Sequence, residues 1–158
     1  MIQRIQSVFL FLIVIAMVGL FIFPIWAKTN PATGVEYVLD AYKLGPETAT
    51  DGATSQSTIY IAILAAAAAL IALYEIFQYK SRLTQMKLGL LNSLILAALV
   101  GVVFYFSSYV GEDLVATKER GEYLSGFYFP FIAMLMNVLA NRFIKRDEDL
   151  VRSMDRLR

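Results

Sequence analysis

The chain has no histidine and no cysteine among its 158 residues. By itself it therefore supplies no haem-ligating imidazole, no zinc or iron–sulfur site, no thiol nucleophile and no disulfide. Lack of cysteine suits either side of a membrane and fixes no compartment. Charge is also scarce, at 17% of residues where a soluble domain carries about 25%. No glycine-rich phosphate loop, serine-nucleophile motif or catalytically spaced carboxylate pair is present. The charged stretch "IKRDEDLVR" alternates in sign and lacks stacking aromatics, which argues against nucleic acid as a partner. These absences predict a chain that is not an enzyme and carries no cofactor and no metal.

What the chain does have is apolar surface. Hydrophobic residues make up 58% of it, and they are gathered into runs rather than spread evenly. Crossing the ~30 Å hydrocarbon layer as a helix takes about 20 apolar residues. "SVFLFLIVIAMVGLFIFPIW" (7–26), "IYIAILAAAAALIALYEIF" (59–77) and "LGLLNSLILAALVGVVFYF" (88–106) meet that length, and the fourth run (124–140) nearly does. The first is too long for a signal-peptide core, and "IWA" before Lys28 is a poor cleavage site, so it reads as an uncleaved helix with Trp26 at the interface. The fourth contains Pro130 and crosses if its helix continues into the tail.

The expected architecture is all-α: a polytopic membrane protein of one domain, 1–158, with four transmembrane helices. These are expected at 6–27, 58–79, 88–109 and 124–141. Outer loops cover 28–57 and 110–123, a cytoplasmic loop 80–87 and a cytoplasmic tail 142–158. Within the first loop, "VEYVLDAYKL" satisfies neither the helical nor the strand period and stays unassigned. Ala62, Ala66 and Ala69 on the second helix, and Ser93, Ala97 and Gly101 on the third, predict a close small-residue contact between the two. Simple helix propensity is the plainer account of the alanines.

Orientation follows from charge. Four crossings put both termini on one side with the 80–87 loop. There sit ten of the fourteen basic residues: Arg4, Lys80, Arg82, Lys87, Arg142, Lys145, Arg146, Arg152, Arg156 and Arg158. The positive-inside rule makes that side cytoplasmic. The tail, continued as a helix, places Phe143, Leu150, Met154 and Leu157 along one stripe with Ile144 and Val151 beside it, an amphipathic cytoplasmic extension and a candidate docking face. It can pack on a protein partner, lie on the anionic leaflet, or anchor the topology. Asp147, Glu148, Asp149 and Asp155 weigh toward protein.

Counting depth at 1.5 Å per residue brings Gln3, Arg4, Gln6, Glu75, Gln78, Asn92, Asn137, Asn141 and Arg142 within about two turns of the cytoplasmic boundary. Glu75 stands out, since an ionisable group in an apolar run is costly and needs a partner. Arg4 or Arg142 is the expected one, with Asn92 as a neutral donor. A clamp that fixes helix register is the leading reading of this layer. A proton or cation relay, or a contact with a lipid head group, is the other.

The opening "MIQRIQSVFL", the turn "YKSRLTQMKLGLLN" and the close "ANRFIKRDEDLVRSMDRLR" resemble the small four-helix inner-membrane proteins grouped as domain of unknown function 4293, typical of Bacteroidota. The resemblance covers essentially the whole chain. It implies four helices and a bacterial inner membrane, and no activity. The functional expectation is an accessory or assembly subunit of a larger membrane complex, with other integral or cytoplasmic-side subunits, copies of itself, and membrane lipids as partners. The alternative is a small oligomeric transporter or lipid-handling protein centred on Glu75.

Overall fold

A computed structural model describes residues 2–47, 55–78, 81–115, 117 and 120–155. The chain runs α1 (Ile2–Ile22), β1 (Trp26–Thr29), β2 (Glu36–Leu39), β3 (Lys43–Pro46), β4 (Gln56–Ser57), α2 (Ile59–Phe77) and α3 (Arg82–Tyr105). A π-helical turn (Phe106–Val110), α4 (Gly111–Leu114), β5 (Glu122–Tyr123) and α5 (Ser125–Asp155) complete it. Four of its helical stretches are long and apolar enough to cross a membrane.

The four long helices form a ring in which α1 touches α2 and α5, and α3 touches α2 and α5. Each helix buries one narrow stripe. On α5 it is Ala133, Asn137, Ala140 and Ile144, and on α3 it is Gln85, Gly89, Asn92, Leu96, Leu99 and Val103. Steps of three and four residues keep such a seam facing its neighbours. The opposite faces expose Phe11, Ile15, Ile63, Leu70, Leu90, Leu94 and Leu135, which suits hydrocarbon as the surrounding medium.

The expected all-α class is corrected by a five-stranded antiparallel sheet, ordered β4-β3-β2-β1-β5. It lies at the end of the ring where α1 stops and α2 and α5 start. "VEYVLDAYKL" holds β2, a turn and β3, with Val38 opposite Gly45 and Leu39 opposite Leu44. The β1–β2 hairpin closes through Asn30, whose N–H donates to the Val35 carbonyl, and through Gly34 at φ +67°, a left-handed position that glycine takes without strain. Backbone groups beside lipid must find partners, and pairing the strands provides them.

Trp26, expected at an interface, is fully buried in β1 and shares a core with Leu39, Ala41, Leu44 and the helix seams. Gly121 and Gly111 lie flat against its indole, where any Cβ would collide with the ring. Tyr60, Tyr105, Tyr109, Tyr123 and Tyr128 are exposed around the sheet end of the ring.

Helix limits also differ from expectation. The first helix stops at Ile22, before Pro24. The third takes in most of the 80–87 loop and runs on through the π-helical turn into α4, so that the 110–123 loop begins as helix. The fourth passes Pro130 and continues unbroken into the tail. In a membrane helix neighbouring groups absorb the bond that proline loses.

Candidate functional site

Polar side chains collect in the half of the ring away from the sheet. α3 carries Gln85, Gly89, Asn92 and Ser93 within nine residues, and two asparagines one turn apart on α5 meet them. The Asn137 Nδ2 donates to the Gly89 carbonyl at 3.1 Å and to the Ser93 hydroxyl at 2.7 Å. The Asn141 Nδ2 reaches the same hydroxyl at 3.4 Å, and Ser93 itself donates to the Gly89 carbonyl at 2.9 Å. Gly89 is where the two helices touch, since a Cβ there would fall on the Asn141 side chain.

A second link joins α2 to α3. The Gln85 Nε2 donates to the backbone carbonyl of Glu75 at 3.0 Å, just before the turn between these helices. The Glu75 side chain is 0% exposed. A helical side chain leans toward its own N-terminus, which aims this carboxylate away from the turn and into the bundle. Among the described residues neither carboxylate oxygen has a hydrogen-bond partner, and neither do the Asn92 amide atoms, the Gln6 Nε2, or the Asn137 and Asn141 Oδ1 atoms. Acceptors exceed donors among these unmatched groups.

Of the nine layer residues expected from the sequence, Gln6, Glu75, Asn92 and Asn137 are buried and Asn141 half-buried. Arg142 is exposed, so the expected Glu75–Arg142 pair is not formed. Asn92 is not a donor to Glu75 either. Gln78 turns aside and donates to the Tyr74 hydroxyl at 2.6 Å. Gln3 and Arg4 lie in the first turns of α1, with side chains outside the described residues.

Sequence reasoning missed Gln85 and Gly89 and misdirected Ser93. The stripe Ser93, Ala97 and Gly101 does not face α2: Ser93 bonds to α5, while Ala97 and Gly101 are exposed. The usable signal was a matched spacing, with Gly89 and Ser93 four apart opposite Asn137 and Asn141 four apart.

The docking face is smaller than expected. Ile144 is buried, and Phe143 stacks on Phe9 with ring centroids 5.5 Å apart, so both belong to the bundle. Leu150 is 47% exposed and Val151 half-buried. The Met154 side chain and Leu157 lie outside the described residues. The tail is fastened at Asp147, whose carboxylate takes the Arg82 guanidinium at 3.2 Å and whose backbone carbonyl takes another guanidinium N–H at 3.1 Å. Beside this tie is a groove of about 310 Å³ lined by Ser81, Arg82, Leu83, Glu148 and Val151.

At the sheet end, the buried Lys28 of β1 forms an ion pair with Glu112 of α4, and the other Glu112 oxygen accepts the Gly121 N–H at 2.9 Å. Among the described residues there is no cluster of three or more acids that could hold a metal ion.

The family model described as a domain of unknown function, DUF4293, matches residues 2–157. A comparison with curated proteins finds no match.

Proposed function

The chain belongs to the DUF4293 family, and from that premise we propose that it is a non-enzymatic accessory or scaffold subunit of a larger complex in a bacterial inner membrane. In this reading both termini are cytoplasmic, on the ten-to-four division of basic residues. The observation that carries it is α5. At 31 residues and 1.5 Å per residue, this one helix is about 46 Å long, well beyond a ~30 Å hydrocarbon layer. The surplus leaves the bundle as a stiff arm, braced by Arg82 on Asp147. Leu150 and Val151 lie on it beside a charged groove, a surface suited to a protein partner and too acidic for a helix that only seeks lipid.

A photo-crosslinker at position 150, used in native cells, tests this directly. A discrete adduct with a different protein, lost when Val151 is replaced by Glu, is expected. Adducts with lipid alone, or with a second copy alone, would refute it.

A second reading, the small oligomeric transporter or lipid-handling protein, draws support from Glu75 and Asn92, buried and without a side-chain partner among the described residues. In a transporter such groups would pass a proton or cation. Reconstituted liposomes decide between the two: an ion flux removed by Glu75→Gln favours the second reading, and no flux favours the first.

A further inference from the structure

At the sheet end lies a cavity of about 480 Å³ that neither reading uses, lined by Phe104, Ser108, Tyr109, Glu112, Arg120 and Tyr123. Its charge comes first. Both Glu112 oxygens are engaged, one by the Lys28 ammonium and one by the Gly121 N–H. Lys28 and Glu112 cancel as a pair. Arg120 is exposed, forms no ion pair among the described residues, and is the basic residue lining the cavity.

Its polar lining comes second. The hydroxyls of Ser108 and Tyr123 are 3.0 Å apart and share one hydrogen bond, which leaves one O–H of the pair free to donate. The wide turn Phe106–Val110 re-aims the residues after Tyr105, and Ser108, Tyr109 and Glu112 line the same cavity as Tyr123 of β5.

Its depth comes third. Exposed Tyr60, Tyr105, Tyr109, Tyr123 and Tyr128 ring this end of the bundle, and such a ring marks the boundary between hydrocarbon and head groups. Phe104, one turn before Ser108 and on the hydrocarbon side of Tyr105, is itself exposed. The cavity thus meets the polar layer at Arg120 and the hydrocarbon at Phe104.

We propose that this cavity binds the phosphate head group of a membrane phospholipid in the leaflet nearest the sheet. Arg120 and the free O–H of the Ser108–Tyr123 pair hold the phosphate, and Phe104 packs on the first methylenes of an acyl chain. A soluble phosphate ester would use Arg120 and leave Phe104 idle. A diacylglycerol would do the reverse.

The test is native mass spectrometry of the full chain released from mild detergent, titrated separately with dioleoyl phosphatidylglycerol, dioleoylglycerol and glycerol phosphate. Trp26, the one tryptophan, reports folding through its emission, because Gly111 and Gly121 pack on it beside the cavity. Phosphatidylglycerol adducts are expected on the wild type. Arg120→Ala should weaken them about ten-fold, as expected for loss of a charge-assisted contact, Arg120→Lys should weaken them less, and Lys145→Ala at the far end should change nothing. The two partial ligands should each bind far more weakly than the lipid. Unchanged retention in Arg120→Ala with normal Trp26 emission overturns the proposal. So does diacylglycerol retained as well as the phospholipid, or glycerol phosphate competing with it on equal terms. If Arg120→Ala disturbs the emission, Phe104→Ala decides from the apolar side: retention must fall for the phospholipid, and unchanged retention overturns the assignment.

Discussion

The side-chain amide of Asn137 on α5 bonds to the carbonyl of Gly89 on α3, a backbone group that Ser93 also uses. In hydrocarbon no apolar driving force pulls helices together, so close backbone approach and shared hydrogen bonds must do so. Gly89, with Asn141 pressed against it, supplies the approach, and the asparagines supply the bonds.

Gly89→Ala should therefore destabilise the bundle by about 1–3 kcal/mol, the usual cost of overpacking. Asn141→Ala, which clears the space a Cβ needs, should recover much of that loss in the double variant. Thermal unfolding of the four proteins in one detergent provides the cycle. Strictly additive losses would show that the two residues do not meet.

Glu75→Gln keeps the shape of a buried side chain and removes its charge. Because no described donor faces the carboxylate, the variant should unfold at the same temperature as the wild type or a higher one. A lower temperature would reveal a partner that the described residues do not include.

The tie between Arg82 and Asp147 is partly exposed, with 28% and 18% of the two side chains accessible. Its coupling energy should be modest, about 0.5–1 kcal/mol in a double-mutant cycle. Its mechanical effect should be larger. Arg82→Ala frees the tail beyond Asp147, so limited trypsin digestion at Arg152 should quicken several-fold while the bundle's melting temperature barely moves.

Asp40 sits in the turn between β2 and β3, outside the spans. Burial holds its carboxyl above the ordinary value of 3.8, with Lys43 opposing and Glu47 adding to the rise. The folded state thus binds this proton more tightly than the unfolded chain, and ionisation costs folding free energy. That cost is absent below the ordinary value and complete once pH exceeds the raised folded one. Asp40→Asn should accordingly stabilise the protein near pH 7, and the advantage should vanish near pH 3. Parallel melting curves at the two pH values measure it.

The four spans could be read from sequence because length and apolarity alone specify them, and the depth of Gln6, Glu75, Asn92 and Asn137 followed from counting along them. Which way each residue faces could not be read in the same manner. α2 is apolar on all sides, so nothing in its pattern says that Ala65, Ala68 and Ala72 turn inward with Ala62, while Ala66 and Ala69 are only half-buried. The sheet was invisible for another reason. Strands of two to four residues are too short to establish a period, and β1 pairs with β5 only because the bundle brings Trp26 and Tyr123 together. Trp26 looked like an interfacial ring because tryptophan after a span usually is one. Its burial depends on Gly111 and Gly121, far along the chain.

That β1–β5 pairing bears on how the protein is made. The Leu124 N–H donates to the Ile25 carbonyl and the Gly126 N–H to the Pro24 carbonyl, stitching the end of α1 to the beginning of α5. The interface between these two helices is also the most extensive in the ring. The helices leave the ribosome in chain order, so α1 is made well before α5, its most extensive partner, and the ring can close only once α5 follows. A chain arrested before Glu122 leaves the Trp26 strand paired with β2 on one edge and bare on the other.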